Sequence, residues 1–141
     1  MSVEELNNEW GKSVKKAQLQ LIKQQVKNVQ EATLIIDREA KKEIPVDTGY
    51  LRASQKQKVQ LFEDCIKGYN YNTSEYAPFV HQGTGIYALE GDGRKTPWKY
   101  HVKAGKYKGW HITRGQVAVP FIRNAQLQNI DKIQRALRGE L

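Results

Sequence analysis

The chain has 141 residues and a mass of 16.2 kDa, enough for one domain with one modest core. At 39% hydrophobic and 27% charged residues it is not a disordered composition, and no apolar run approaches the length of a bilayer crossing. The single cysteine, Cys65, excludes an internal disulfide and any multi-cysteine metal site, and the net charge of +8 points to acidic partners.

That charge is local. Residues 1–91 are balanced, whereas 92–123 carry eight basic residues against Asp92 alone. Such a stretch suits nucleic acid or an acidic protein surface. The start of the chain is polar and acidic and does not read as a secretory signal, so the expected compartment is a host cytosol, with no membrane.

Residues 3–44 carry a helical pattern. Val3, Leu6, Trp10, Val14, Ala17 and Leu21 recur at intervals of three and four. Ile22, Val26, Val29, Thr33, Ile36 and Ala40 continue the stripe on a drifting face. An unbroken helix would be roughly 60 Å long, more than the width of a small domain. Either it breaks near Gly11 and packs with a frayed start, or its first turns project and meet a neighbouring subunit.

Pro45 ends the helix, because the residue before a proline is pushed out of helical geometry. Asp47 can accept backbone N–H groups as an Asx turn or N-cap, Thr48 follows, and Gly49 can take a positive φ. Leu51 and Arg52 come next on a short turn. Residues 54–62 and 65–71 predict a β-hairpin turning at Glu63-Asp64. Val59 and Leu61 alternate with Lys58 and Gln60, and Cys65, Tyr69 and Tyr71 alternate with Ile66, Gly68 and Asn70. Tyr76 and Val80, four apart, predict a short helix over 75–80.

Residues 83–115 hold seven of the 11 glycines. Residues 85–95 read as a mobile loop. Residues 98–102 and 110–112 read as a second hairpin around Ala104-Gly105-Lys106. Pro120 then opens a helix over 120–138, with Ile122, Ala125, Ile130, Ile133 and Leu137 facing inward and Gly139 as its stop. The fold class expected is α+β: a long N-terminal helix and a C-terminal helix packed on a small antiparallel sheet, with a long Gly-rich basic loop and hairpin. One domain covers 1–141, divided into the helix 1–44, a turn, hairpin and short helix 45–82, the Gly-rich segment 83–118, and the helix 119–141.

Several chemistries are weakly signalled. Gly91-Asp92-Gly93-Arg94-Lys95-Thr96 echoes a phosphate loop, yet it lacks the four-residue spacer and Pro97-Trp98 prevents an immediate helix. Cys65, His81, His101 and His111 are too widely spaced for a short metal-ligand pair, and no metal or other cofactor is expected. His101 and His111 lie on the two arms of the second hairpin. Facing each other, they would suit acid–base cleavage of a phosphodiester; otherwise they are solvated strand residues. The stronger candidate is an interface made of Arg94, Lys95, Trp98, Lys99, Tyr100, Lys103, Lys106, Lys108, Trp110 and Arg114. Aromatics between cations stack on bases while the cations meet phosphates, and the same composition suits a protein interface. The plainer alternative is that Trp98 and Trp110 cap the core and the lysines are solvated.

Four stretches stand in order: Pro45-Val46-Asp47-Thr48-Gly49-Tyr50-Leu51-Arg52; Tyr76-Ala77-Pro78-Phe79-Val80-His81-Gln82-Gly83-Thr84-Gly85; Gly93-Arg94-Lys95-Thr96-Pro97-Trp98-Lys99-Tyr100; and Thr113-Arg114-Gly115-Gln116-Val117-Ala118-Val119-Pro120-Phe121-Ile122-Arg123-Asn124-Ala125. Together they resemble the minor tail component family of long-tailed, lambda-like bacteriophages and prophages, whose members are also called head–tail joining or tail-completion proteins. The resemblance runs from Pro45 to the C-terminal helix. It implies a structural virion protein and not an enzyme. It further implies a homo-oligomeric ring, commonly of six and monomeric when free, that joins the tail to the head connector. The implied partners are phage connector and tail proteins, with weak contact to packaged DNA. The implied location is the virion, after assembly in the bacterial cytoplasm. The motif positions carried over are Pro45, Asp47, Thr48, Gly49, Leu51, Arg52, Tyr76, Gly83, Thr84, Gly85, Trp98, Gly115, Pro120 and Phe121. The family often has glutamate where this chain has His81, so no fixed charge is implied there. The third stretch is similar to members from phages of Gram-positive hosts.

Overall fold

The structure, a computed structural model, describes residues 2–46 and 49–141. Helix α1 spans Val3–Glu43, 41 residues, and passes through Gly11 without a break. A capping box starts it: the Ser2 hydroxyl accepts the Glu5 N–H at 3.2 Å, and the Glu5 carboxylate accepts the Ser2 N–H at 2.7 Å. At the other end Ile44 is extended, with ψ 125, as Pro45 requires. Burial begins only at Ala32 and continues through Thr33, Ile35, Ile36, Asp37 and Ala40. Val3, Leu6, Trp10, Val14 and Leu21 are exposed. Of the two alternatives, the projecting helix describes this chain.

Gly49, at φ +83, leads into the short helix α2, Tyr50–Ala53, which buries Leu51. Asp47 and Thr48, the expected Asx turn, lie outside the described residues. Strands β1, Gln55–Leu61, and β2, Ile66–Asn72, form the first antiparallel hairpin. Its register separates the two apolar sets expected from the alternation. Val59 pairs with Gly68 and Leu61 with Ile66, whereas Tyr69 and Tyr71 pair with Lys58 and Lys56 on the opposite face. The face toward α1 is largely polar. Asn70 donates to the Thr33 carbonyl at 2.9 Å, and the Thr33 hydroxyl lies 3.1 Å from Gln57 Oε1. Asn72 donates to the Leu51 carbonyl at 2.9 Å and to Gln55 Oε1 at 3.2 Å. Gly68 permits this approach, since a Cβ there would run into Val29 and Thr33. These bonds pair the Asn70 and Asn72 amides and Gln55 Oε1, whereas the buried Gln55 Nε2 has no partner among the described residues.

Helix α3, Ala77–Gln82, turns Ala77 and Val80 inward. A 3₁₀ turn at Gly85–Tyr87 follows. Strands β3, Trp98–Val102, and β4, Gly109–Thr113, form the second hairpin as a separate two-stranded sheet, so the expected single sheet is two. The expected C-terminal helix is also divided: α4 is Phe121–Gln128 and α5 is Ile130–Leu137. At the break Asn129 has φ −119 and ψ 22, and its side chain donates to the Ala125 carbonyl at 2.9 Å. Asparagine side chains compete with the helical backbone in this way.

The core lies where α1, α3 and α4 meet. Phe121, 1% exposed, sits among Ile36, Ala40, Ile44, Leu51, Ala77, Val80 and Ala125. A second cluster of Ala32, Ile35 and Ala136 joins α1 to α5, and Ile133 packs against both. The helices α4 and α5 run antiparallel to α1. Asn124 donates to Glu43 at 2.6 Å, and Asn28 donates to the Leu137 carbonyl at 3.4 Å.

Candidate interaction surfaces

The register of the second hairpin decides what it can do. Trp98 pairs with Thr113, Lys99 with Ile112, Tyr100 with His111, and His101 with Trp110. Since successive residues alternate faces, Trp98, Tyr100 and His111 share one face, and Lys99, His101, Trp110 and Ile112 share the other. His101 and His111 therefore point away from each other, and the acid–base pairing considered above has no geometry here. Each histidine instead meets an aromatic partner. Tyr100 stacks on His111 at 5.3 Å, and His101 meets the edge of Trp110 at 4.9 Å. His111 Nε2 also lies 2.6 Å from the Tyr107 carbonyl, tying the strand to the tip.

The Trp98 face is partly covered, and Arg94 lies over the Trp98 ring at 5.7 Å. The other face is open: Trp110 is 72% and Ile112 70% exposed, with Lys99 beside them. Trp110 thus does not cap the core. Lys103, Lys106 and Lys108 occupy the exposed tip, where Lys106 lies over Tyr107 at 5.3 Å. Lys95 donates to the Gly91 carbonyl at 3.1 Å. Among the described residues, none of the eight cations between 92 and 123 forms an ion pair. An exposed aromatic–aliphatic patch among unneutralised cations is suited to an acidic surface with apolar spots.

The start of the segment expected as a mobile loop, residues 84–86, is bonded to the chain that follows this hairpin. The Thr84 N–H donates to the Gln116 carbonyl at 3.0 Å, and the Gln116 N–H donates to the Thr84 hydroxyl at 2.8 Å. Ile86 donates to the Arg114 carbonyl at 3.1 Å, and Val119 to the Val80 carbonyl at 2.8 Å. Glycines make this crossing possible. A Cβ on Gly85 would collide with the Arg114 carbonyl, and one on Gly115 with the Thr84 carbonyl. Gly93 packs as closely against Gly85, and Gly83 against Tyr87 and Ala118.

A second surface emerges next to the crossing. Pro45, Val46, Tyr50, Tyr76, Phe79 and Gln116 line a groove of about 430 Å³. The Tyr50 and Tyr76 rings lie 6.0 Å apart. Val46, Tyr50, Tyr76 and Phe79 are all exposed, whereas Arg52 lies on the exposed side of α2. Sequence reasoning did not single out this groove. The available signal was α3 itself: it is apolar on two faces, with Ala77 and Val80 inward and Tyr76 and Phe79 outward.

His81, on the remaining side of α3, meets the Phe121 ring edge-on at 5.3 Å and accepts the Arg123 N–H at 3.4 Å. Burial pushes its pKa below the ordinary imidazole value, the nearby Arg123 charge pushes the same way, and Glu43 opposes them. Among the described residues no group of three or more His, Cys, Asp or Glu side chains is placed to hold a metal ion, and no helix is long and apolar enough to cross a membrane. Comparison with family models, curated proteins and solved structures finds no match to this chain.

Proposed function

We propose that this protein is a structural component of a long-tailed bacteriophage, assembling as a ring that joins or completes the tail on the head connector. The observation that carries the reading is the meeting of the four stretches that resemble the minor tail component family. The backbone at 83–86 crosses that at 114–116, Gly93 packs on Gly85, and Pro45, Val46, Gly49, Tyr50 and Leu51 line the groove beside the crossing. Stretches far apart in sequence thus meet in one place, which supports reading them together. A cyclic ring needs two different patches on each subunit. The projecting half of α1 and the open face of the second hairpin are the two this reading assigns. The excess charge near the hairpin orients an acidic neighbour and speeds encounter more than it adds affinity. On this reading the protein acts in the virion after assembly in the bacterial cytoplasm, and it catalyses no reaction.

The test is electron microscopy of lysates from the parent phage with an early stop codon in this gene. DNA-filled heads and separate tails, rescued by added protein, are the expected result. Absent or overlong tails would move the role to tail initiation or termination. Normal joined particles would refute the structural role.

A second reading, nucleic-acid binding through residues 94–114, is favoured by the unpaired cations around Trp110. Affinity for DNA that falls steeply with salt would support it. Affinity unchanged by replacing Lys99, Lys103, Lys106 and Lys108 with glutamine would remove it.

A further inference from the structure

The exposed half of α1 carries an apolar stripe along one face. Val3, Leu6 and Trp10 are repeated eleven residues later by Val14, Ala17 and Leu21. An eleven-residue repeat nearly matches the pitch of a straight helix, so the stripe runs almost parallel to the axis. At about 100° per residue, all eight charged residues between 3 and 27 lie more than about 100° from the centre of this stripe. Its flanks are uncharged polar residues such as Asn7, Ser13 and Gln18. Trp10 is 73% exposed, although it stands at the middle of the stripe.

The same face of α1 is already in use further along. Asn28, Ala32 and Ile35 carry α5, which runs antiparallel to α1 and ends level with Asn28, where Gly139 lies beside the Asn28 side chain. Beyond that point the row is vacant over residues 3–21, roughly 27 Å of helix. A second helix running antiparallel to α1 fits there, in line with α5.

We propose that, in the free protein, this occupant is the same segment of a second copy, paired antiparallel about a two-fold axis near residue 12. Three features select a second copy in this orientation. The stripe is self-complementary about that centre, with Val3 level with Leu21 and Trp10 level with Val14. The charges are polarised: Glu4, Glu5 and Glu9 precede Lys12, Lys15, Lys16 and Lys23 without mixing. Antiparallel pairing sets Glu9 within one residue of the level of Lys16 on the same flank of the partner, twice by symmetry. Parallel pairing would set like charges together and drive the two copies of α5 into the same space. The exposed stripe offers on the order of 500 Å² per copy, about 1,000 Å² in the pair, which reaches the lower range of specific interfaces. The pairing does not rest on the head–tail reading, and the second hairpin remains open to another partner.

The experiment is sedimentation equilibrium of the full chain from low micromolar to millimolar concentration. The wild type is expected to dimerise. Trp10→Glu should weaken the dimer at least about 30-fold, the effect of losing a hot spot, without changing helicity, since Trp10 makes no core contact. Glu9→Lys should weaken it, and adding Lys16→Glu to the same chain should restore it. Orientation is read in a Cys65→Ser background. Leu6→Cys mixed with Ala17→Cys should oxidise to a crosslinked heterodimer, whereas Leu6→Cys alone should not crosslink. A wild type that stays monomeric to millimolar concentration, or a dimer indifferent to Trp10→Glu, would overturn the proposal. So would crosslinking of Leu6→Cys with itself, or larger rings dissolved by Trp10→Glu. That last result would mean the stripe docks on a different patch of its neighbour, and it would leave the ring reading standing.

Discussion

The glycine crossing can be tested by comparing Gly115→Ala with Gly109→Ala. Both glycines have φ in the region that side chains avoid, +133 and +122. Each substitution therefore carries a conformational cost of about 1–3 kcal/mol. They differ in surroundings. A Cβ at Gly109 meets nothing within 4 Å, whereas one at Gly115 collides with the Thr84 carbonyl and lies 2.8 Å from the Gly85 Cα. Backbone cannot step aside as a side chain end can, so relief requires the crossing to part. The bonds at stake are Thr84 to Gln116 in both directions and Ile86 to Arg114. At about 0.5–1.5 kcal/mol each, their loss adds roughly 1.5–4.5 kcal/mol to Gly115→Ala alone. That is a large share of the 5–15 kcal/mol typical of a domain's stability. Urea unfolding of both variants, followed by tryptophan fluorescence, measures the difference. Hydrogen exchange at Ile86 and Gln116 should rise in Gly115→Ala only. Equal destabilisation of the two variants, within about 0.5 kcal/mol, would refute the claim that close backbone approach rather than φ dictates glycine at 115.

Phe121→Ala should cost about 3–5 kcal/mol in urea unfolding, because it empties the centre of a small core; a cost below about 1.5 kcal/mol would mean the site collapses freely. His81 is held below the ordinary imidazole pKa of 6.5 in the folded state. Its contribution to stability is therefore full above that value and is lost as pH falls through the lowered folded pKa. The melting temperature of the wild type should drop more steeply between pH 7.5 and 5 than that of His81→Gln, and parallel profiles would contradict the assignment. Asn70→Leu should destabilise the hairpin's seat on α1 by about 1–3 kcal/mol, since it leaves groups of a buried polar network unpaired. An unchanged urea midpoint would show that the polar face contributes nothing there.

Much of the local structure was legible in sequence. The three-and-four spacing from Val3 to Ala40 specified helix, and Pro45 specified its end, because both effects act within a turn or two of chain; that the helix passes Gly11 without a break was decided only in the structure. Both hairpins were legible for the same reason, from alternation bounded by turn residues. So was the concentration of cations over 92–123. The candidate surfaces were only partly legible. The basic aromatic hairpin could be named from composition, but the openness of Trp110 could not, because exposure depends on what else packs nearby. The groove beside Tyr76 and Phe79 depends on Val46, Tyr50 and Gln116, which come from three separate segments.

What the sequence alone determined was the order of helix, hairpin, short helix, hairpin and C-terminal helical segment, and the location of the charge excess; the break at Asn129 and the division into two sheets came from the structure. The tertiary structure decided which face of each element is inside. It turned the face of the first hairpin that carries Val59, Leu61 and Ile66 with Gln55, Gln57, Asn70 and Asn72 toward α1, and left Tyr69 and Tyr71 among lysines on the other face, because Gly68 and the amide hydrogen bonds let the first face approach Val29 and Thr33. It put His101 and His111 on opposite faces through a pairing register that no single strand encodes. It also divided the burial of α1, covering residues from Ala32 onward and leaving Val3 to Leu21 open, although the periodic pattern is the same in both halves. Periodicity reports which residues of a helix share a face. Whether that face is covered depends on the reach of α4 and α5, which end level with Asn28.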